Sequence, residues 1–199
     1  MIGGCFAVNT VIDEERKMSF VNFGEIEASH AAAVQFVEPY MMVPVDKKFR
    51  TVVTSSAGYP LDRNYYQTVK GMIGVIDILE PGGNLIIASE CSEGLGTKEY
   101  AGVQEHMIAV GQERFMEETS LKRAAAIDEW EAVMQIKAMK MGRVHLFSTC
   151  LSPEERALTG VRILNSVSDG VLASITEKGD RRVAVIPEGP YVIPVFRPL

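Results

Sequence analysis

The sequence predicts an α/β fold: a Rossmann-like, mostly parallel sheet with helices on both faces, preceded by an N-terminal β-hairpin. Three observations predict it. Short apolar runs rich in β-branched residues recur at RTVVTS (50–55), NLIIAS (84–89), RVHLFS (143–148) and VAVIP (183–187). Longer stretches of helical periodicity separate them. The runs are continuous rather than alternating, as expected of strands covered on both faces. A chain of 199 residues, 47% hydrophobic and 23% charged, can bury one sizeable core. No repeat or low-complexity linker divides it, so one domain over 1–199 is expected, with the hairpin over 1–25 as a joint to a neighbouring half.

Taken in order, residues 6–12 alternate loosely, DEER (13–16) supplies a polar turn, and 18–23 return as a second strand. An Ala-rich helix is expected over 27–40, with Pro39 near its end. The strand at 50–55 leads through SAGYP (56–60) into a helix expected over 61–79, with Asp62 as its N-cap. PGG (81–83) reads as a helix-to-strand turn before the strand at 84–89. The glycine-containing loop ECSEGLG (90–96) precedes two or three helices over 104–141. After the strand at 143–148, Pro153 starts a helix. A further helix over 161–168 and the strand at 183–187 close the pattern.

Composition excludes several classes. A formal charge of -6 opposes non-specific nucleic-acid binding, which needs clustered cations. No run approaches the roughly 18 to 20 apolar residues of a membrane span. The start carries neither a basic nor a long apolar segment, so no signal peptide is read there and a cytoplasmic location is the default. Cys5, Cys91 and Cys150 are odd in number and scattered, which suits reduced cysteines rather than a disulfide framework or a metal knuckle. His30, His106 and His145 form no ligand spacing, so no metal site is expected from this chain alone.

In an open parallel sheet, ligands bind beyond the carboxyl ends of the strands. Four loops there should share one rim: 55–62, 90–97, 148–153 and 187–191. On the first helix, at about 100° per residue, Val69, Met72, Ile73 and Ile76 fall on a buried stripe. Tyr66, Gln67 and Lys70 fall beside it, and Gly74 would keep that arc open. A phenol, an amide and an ammonium together suit a ligand with a carboxylate and a hydroxyl. The plainer reading is a solvated helix face, the norm for such residues. Trp130, the sole tryptophan, reads as a packing residue on the same plain view.

Two segments carry a resemblance. TSSAGYPLDRNYYQTVKG (54–71) is similar to the G-G-x-P-x-D-x-N-x-Y-Q-x-x-K segment of the nickel-dependent lactate racemase family. LEPGGNLIIASECSEGLG (79–96) follows at the family's distance, Trp130 falls where the family has an active-site tryptophan, and VIPEGP (185–190) fits its closing strand. The chain thus resembles the family's C-terminal half. The resemblance implies an isomerase that racemises or epimerises 2-hydroxy acids with a nickel pincer nucleotide, which takes hydride from the substrate and returns it. It also implies that the cofactor's tether, its ligands and the catalytic histidines lie in an N-terminal domain absent here. No catalytic or metal residue is then expected on this chain alone, and the isolated chain should be inactive. Its partner would be that N-terminal domain, in the same protein or on a partner chain. Carried over residue by residue, Lys70 would hold the substrate carboxylate, Tyr66 and Gln67 would orient it, and Trp130 would wall the pocket. The sequence departs from the family at Ser56-Ala57-Gly58, where members often have a Gly-Gly pair. Two other classes compete: a stand-alone binding module for a small acid, and a nucleotide-using transferase. The latter is disfavoured because no G-x-G-x-x-G turn follows the first parallel strand.

Overall fold

The computed structural model describes residues 4–198; the start-of-chain reading at 1–3 lies outside them. Contacts divide the chain into two compact units, Met1–Val43 and Pro44–Leu199. The hairpin's second strand ends at Glu25, and the helix that follows it belongs to the same unit.

The first unit is a hairpin carrying one helix. Strands β1 (Phe6–Ile12) and β2 (Met18–Glu25) pair antiparallel, with a register shift at Val11/Ile12. Helix α1 (Ile26–Met41) packs on one face of the hairpin through Phe20 and Phe36, whose rings stack at 4.7 Å. Polar groups bind beneath it: Asn9 Nδ2 donates to Ser29 Oγ at 2.8 Å, and Ser29 Oγ donates to Asn22 Oδ1 at 2.7 Å. Strand β3 (Met42–Val45) then carries the chain into the second unit.

The second unit holds a five-stranded parallel sheet in the order β7-β6-β5-β4-β8. Its strands are β4 (Phe49–Ser55), β5 (Leu79–Ala88), β6 (Gly142–Phe147), β7 (Arg162–Leu164) and β8 (Val183–Ile186). Between them run α2 (Tyr65–Ile73), α3 (Lys98–Val110), α4 (Gln112–Leu121), α5 (Glu129–Met141), α6 (Pro153–Leu158) and α7 (Val167–Lys178), and β9 (Ile193–Phe196) ends the unit. Alternation along the strands sorts the two faces. Val52, Leu85 and Ile87 join Val69 and Met72 of α2 and Ala138 of α5 in the main core. On the other face Thr51 Oγ1 meets Ser174 Oγ of α7 at 2.7 Å, and Asn84 Nδ2 donates to the same hydroxyl at 2.9 Å. The first face is apolar, and the second adds these hydrogen bonds to apolar contacts of Ile86 and Leu164 near Gly170. Among the described residues no helix is long and apolar enough to cross a membrane.

Three elements differ from expectation. The helix expected over 61–79 is only Tyr65–Ile73, followed by a 3-10 turn at Ile76–Ile78. Strand β5 begins at Leu79 and runs through Gly82 and Gly83, which therefore form its start rather than a turn before it. Residues 161–168 hold strand β7 and the first turn of α7, which Ser166 caps by accepting the Asp169 N–H.

Candidate functional site

The four loops at the carboxyl ends of the strands are tied to one another by hydrogen bonds. Tyr65 and Tyr66 N–H donate to the carbonyls of Gly94 and Leu95 at 2.9 and 3.1 Å. These are first-turn donors of α2 that have no partner within the helix. Cys91 N–H donates to Asp62 O at 2.8 Å, and Ser148 Oγ donates to Glu90 O at 2.7 Å. Ser56 bridges to Glu188, while Ser55 Oγ donates to Pro187 O. The N-cap of α2 is Asn64, not Asp62: its side chain accepts the Gln67 N–H at 3.0 Å. Asp62 instead accepts from Glu90 N–H at 3.4 Å.

Three helix starts then meet. Thr97 caps α3 by accepting the Tyr100 N–H at 3.1 Å, and its hydroxyl donates to Asp128 Oδ2 at 2.7 Å. Asp128 is the N-cap residue of α5 and stands at φ 62°, a left-handed conformation that Asp adopts more readily than most residues. It turns the chain so that Trp130 stands edge-on to Tyr66, ring centroids 6.1 Å apart. Tyr66 is also edge-on to Tyr100 at 5.2 Å. Lys70 Nζ sits 5.2 Å from the Tyr66 ring centroid, a cation–π contact worth about 0.5–1 kcal/mol at an exposed site. No hydrogen bond or ion pair engages that amine among the described residues.

The geometry brings Tyr66, Lys70 and Trp130 together. Trp130 is 47% exposed, so it is not a core residue. Gln67 shares the helix and is half-buried, with its side-chain amide unengaged among the described residues. Gly74 does not keep the polar arc open, because a Cβ there would lie 2.8 Å from Gly189 O. Its role is close packing against the loop after β8.

Sequence reasoning missed the floor of this cluster. Tyr100 is fully buried, and its phenol accepts from Gln104 Nε2 at 2.6 Å. The same nitrogen donates to Gln135 Oε1 at 2.8 Å, and Gln135 Nε2 donates to Thr159 O at 2.6 Å. Glu131, beside Trp130, is fully buried, and neither carboxylate oxygen has a hydrogen-bond partner among the described residues. Burial pushes its carboxyl up to about 7; Lys70 pulls it down and Asp128 adds to the rise. The Tyr66 phenol is raised by burial, then by Glu131 and Asp128, against the lowering effect of the Trp130 indole. Acids in the first turn of a helix are ordinary partners of its dipole, so no local pattern marked Glu131 as buried.

The comparisons with known proteins follow the same outline. Residues 45–194 match the family model described as the lactate racemase C-terminal domain. Lactate racemase of Thermoanaerobacterium thermosaccharolyticum is 28% identical, with 94% of this chain aligned to 44% of that protein. Lactate racemase of Lactiplantibacillus plantarum is 26% identical with the same coverage of both chains. The solved apoprotein of the T. thermosaccharolyticum enzyme superposes with a TM-score of 0.83 at 27% identity, covering 95% of this chain and 45% of that one. A Thermotoga maritima protein superposes at a TM-score of 0.60 with 11% identity, a likeness of fold alone. The chain spans less than half the length of the relatives it matches. With a family model covering most of its length and a sheet of the same architecture, this chain belongs to the lactate racemase C-terminal domain family.

Proposed function

We propose that this chain is the substrate-holding C-terminal part of a racemase or epimerase acting on a lactate-like 2-hydroxy acid. The observation that carries the reading is the unengaged Lys70 ammonium over Tyr66, which stands against Trp130. An ammonium without an ion-pair partner is available to a carboxylate, and the nearby phenol and amide can position the rest of a small acid. Trp130 would flank the acid on one side. The chemical step would need groups from an N-terminal domain, on the same protein or on a partner chain.

The nickel pincer nucleotide implied by the family would supply the hydride chemistry. Among the described residues no group of three His, Cys, Asp or Glu side chains could hold a metal. His106 pairs with Glu118 at 2.8 Å, and His145 is buried beside Asn84. These residues do not fit a nickel centre.

The test is calorimetric titration of L- and D-lactate into the chain and its Lys70→Ala variant. Charge-assisted hydrogen bonds are worth about 1.5–3 kcal/mol, so the variant should bind about 10- to 100-fold more weakly. Equal affinity in the two proteins would remove Lys70 as the anchor.

A further inference from the structure

Glu131 has no part in the reading above, yet it lies under the same cluster. It is fully buried, and both carboxylate oxygens lack a hydrogen-bond partner among the described residues. A buried carboxylate is normally satisfied by donors, and leaving one unpaired is costly. Three helices set its surroundings. Helix α2 presents Lys70 and Tyr66, α3 presents Tyr100, and the start of α5 presents Asp128. Glu129, in the same turn, is already held by Lys122 and by the Ala126 N–H. From β5 and β6, the core against α5 receives Leu85, Ile87, Val144 and Leu146, which carry no charge. Lys70 is therefore the cation among the described residues that acts on Glu131.

We propose that Glu131 is the proton-linked partner of Lys70: ionised, it shares the ammonium's charge, and protonated, it leaves that charge to the carboxylate of a bound organic acid. The inference rests on Lys70 being the acid's anchor. A carboxylate arriving at Lys70 would place a further anion near one cation in a partly dry setting. Like charges so placed disfavour joint ionisation, and the buried group without donors is the one to take the proton. That proton comes from solvent and ends on a Glu131 oxygen, so the acid binds together with one proton. A carboxyl already poised near neutrality needs only a small push. By linkage, affinity rises as pH falls through that range.

The experiment has two arms on the 199-residue chain. In the first, L-lactate is titrated at pH 6 and pH 8, and proton uptake is read from the dependence of the heat on buffer ionisation enthalpy. Wild type should bind about five- to tenfold more tightly at pH 6 than at pH 8, the upper figure applying when only the protonated form binds the acid. Glu131→Gln, close to isosteric and always neutral, should bind tightly at both values without uptake. A flat wild-type profile, or a variant that keeps the wild-type slope, overturns the proposal. In the second arm, fluorescence of the sole tryptophan, Trp130, is quenched by iodide and, separately, by neutral acrylamide, without lactate. The iodide-to-acrylamide ratio should rise from pH 8 to pH 6 in wild type and be high at both in Glu131→Gln. His106→Gln should behave as wild type, which removes the imidazole as the titrating group. A ratio indifferent to pH and to Glu131 overturns the proposal even if lactate binds. The expected ratios with no lactate binding at either pH would sink the acid-holding reading while the charge coupling stands.

Discussion

Ala57 stands at φ 62° and Gly58 at φ 74°, both in the left-handed region. That region is open to glycine and costs other residues about 1–2 kcal/mol because Cβ crowds the carbonyl. The loop after β4 thus keeps a glycine-type turn although Ala57 occupies it, which gives a physical reason for a Gly-Gly pair at this point in the resembling family. Ala57→Gly should relieve the crowding and lose part of the gain to the freer unfolded chain. The expected outcome is about 1 kcal/mol more stability, or a melting temperature raised by about 2–4 °C. An unchanged or lowered melting temperature by calorimetry would show that the turn is unstrained. At this scale the motif singled out Tyr66, Gln67, Lys70 and Trp130 as candidates, and the structure brings Tyr66, Lys70 and Trp130 together. Tyr100 and Glu131 were not legible. Their burial is decided by which helices meet, and a single Glu in a first helical turn looks the same whether wet or dry.

Helix α2 is short, at nine residues, and carries three of the four candidate ligand-holding side chains. Isolated helices of this length are marginal in water, so its end conditions matter. Asn64 caps it, and the loop after β5 satisfies two more first-turn donors. Asn64→Ala should cost about 1 kcal/mol of stability and also weaken lactate binding, whereas Asn64→Asp keeps the acceptor. Ser166→Ala removes the cap of α7 on the opposite face of the sheet and should cost a similar amount without changing lactate affinity. Denaturant melts and lactate titrations of the three variants check this; equal effects of the two alanine variants on binding would deny α2 its special place. The strands and most helices could be read from periodicity. The overlong α2 came from an apolar pattern that continues into the 3-10 turn at Ile76–Ile78. Strand β7 was missed because three residues at a sheet edge are too few to show any period.

At the scale of the molecule, the chain folds as two compact units and covers 44% of the length of its lactate racemase relatives. If it works as one half of a racemase, adding it to a cofactor-loaded N-terminal half should raise lactate racemisation above that half alone, and Lys70→Ala should abolish the increment. Polarimetry on the mixture measures this, and no increment with both halves folded would count against the substrate-holding reading. The hairpin over 1–25 and the helix over 27–40 can both be read from the sequence, whereas only their contacts show that the two pack as one unit.

The unlike faces of the five-stranded sheet have a separate consequence for change over time. Beneath α7, Thr51, Asn84 and Ser174 are joined by hydrogen bonds. A slip by one residue would set greasy chains against those hydroxyl and amide groups, so that side admits a single alignment. Beside the Tyr100–Gln104–Gln135 hydrogen bonds, the α2 and α5 side is held by apolar contacts, and such contacts accept volume-conserving swaps with small losses. The scaffold therefore has a keyed back and a pliable front. Descendants of this chain can remodel the side that bears the ligand-facing helices while the keyed side preserves the frame.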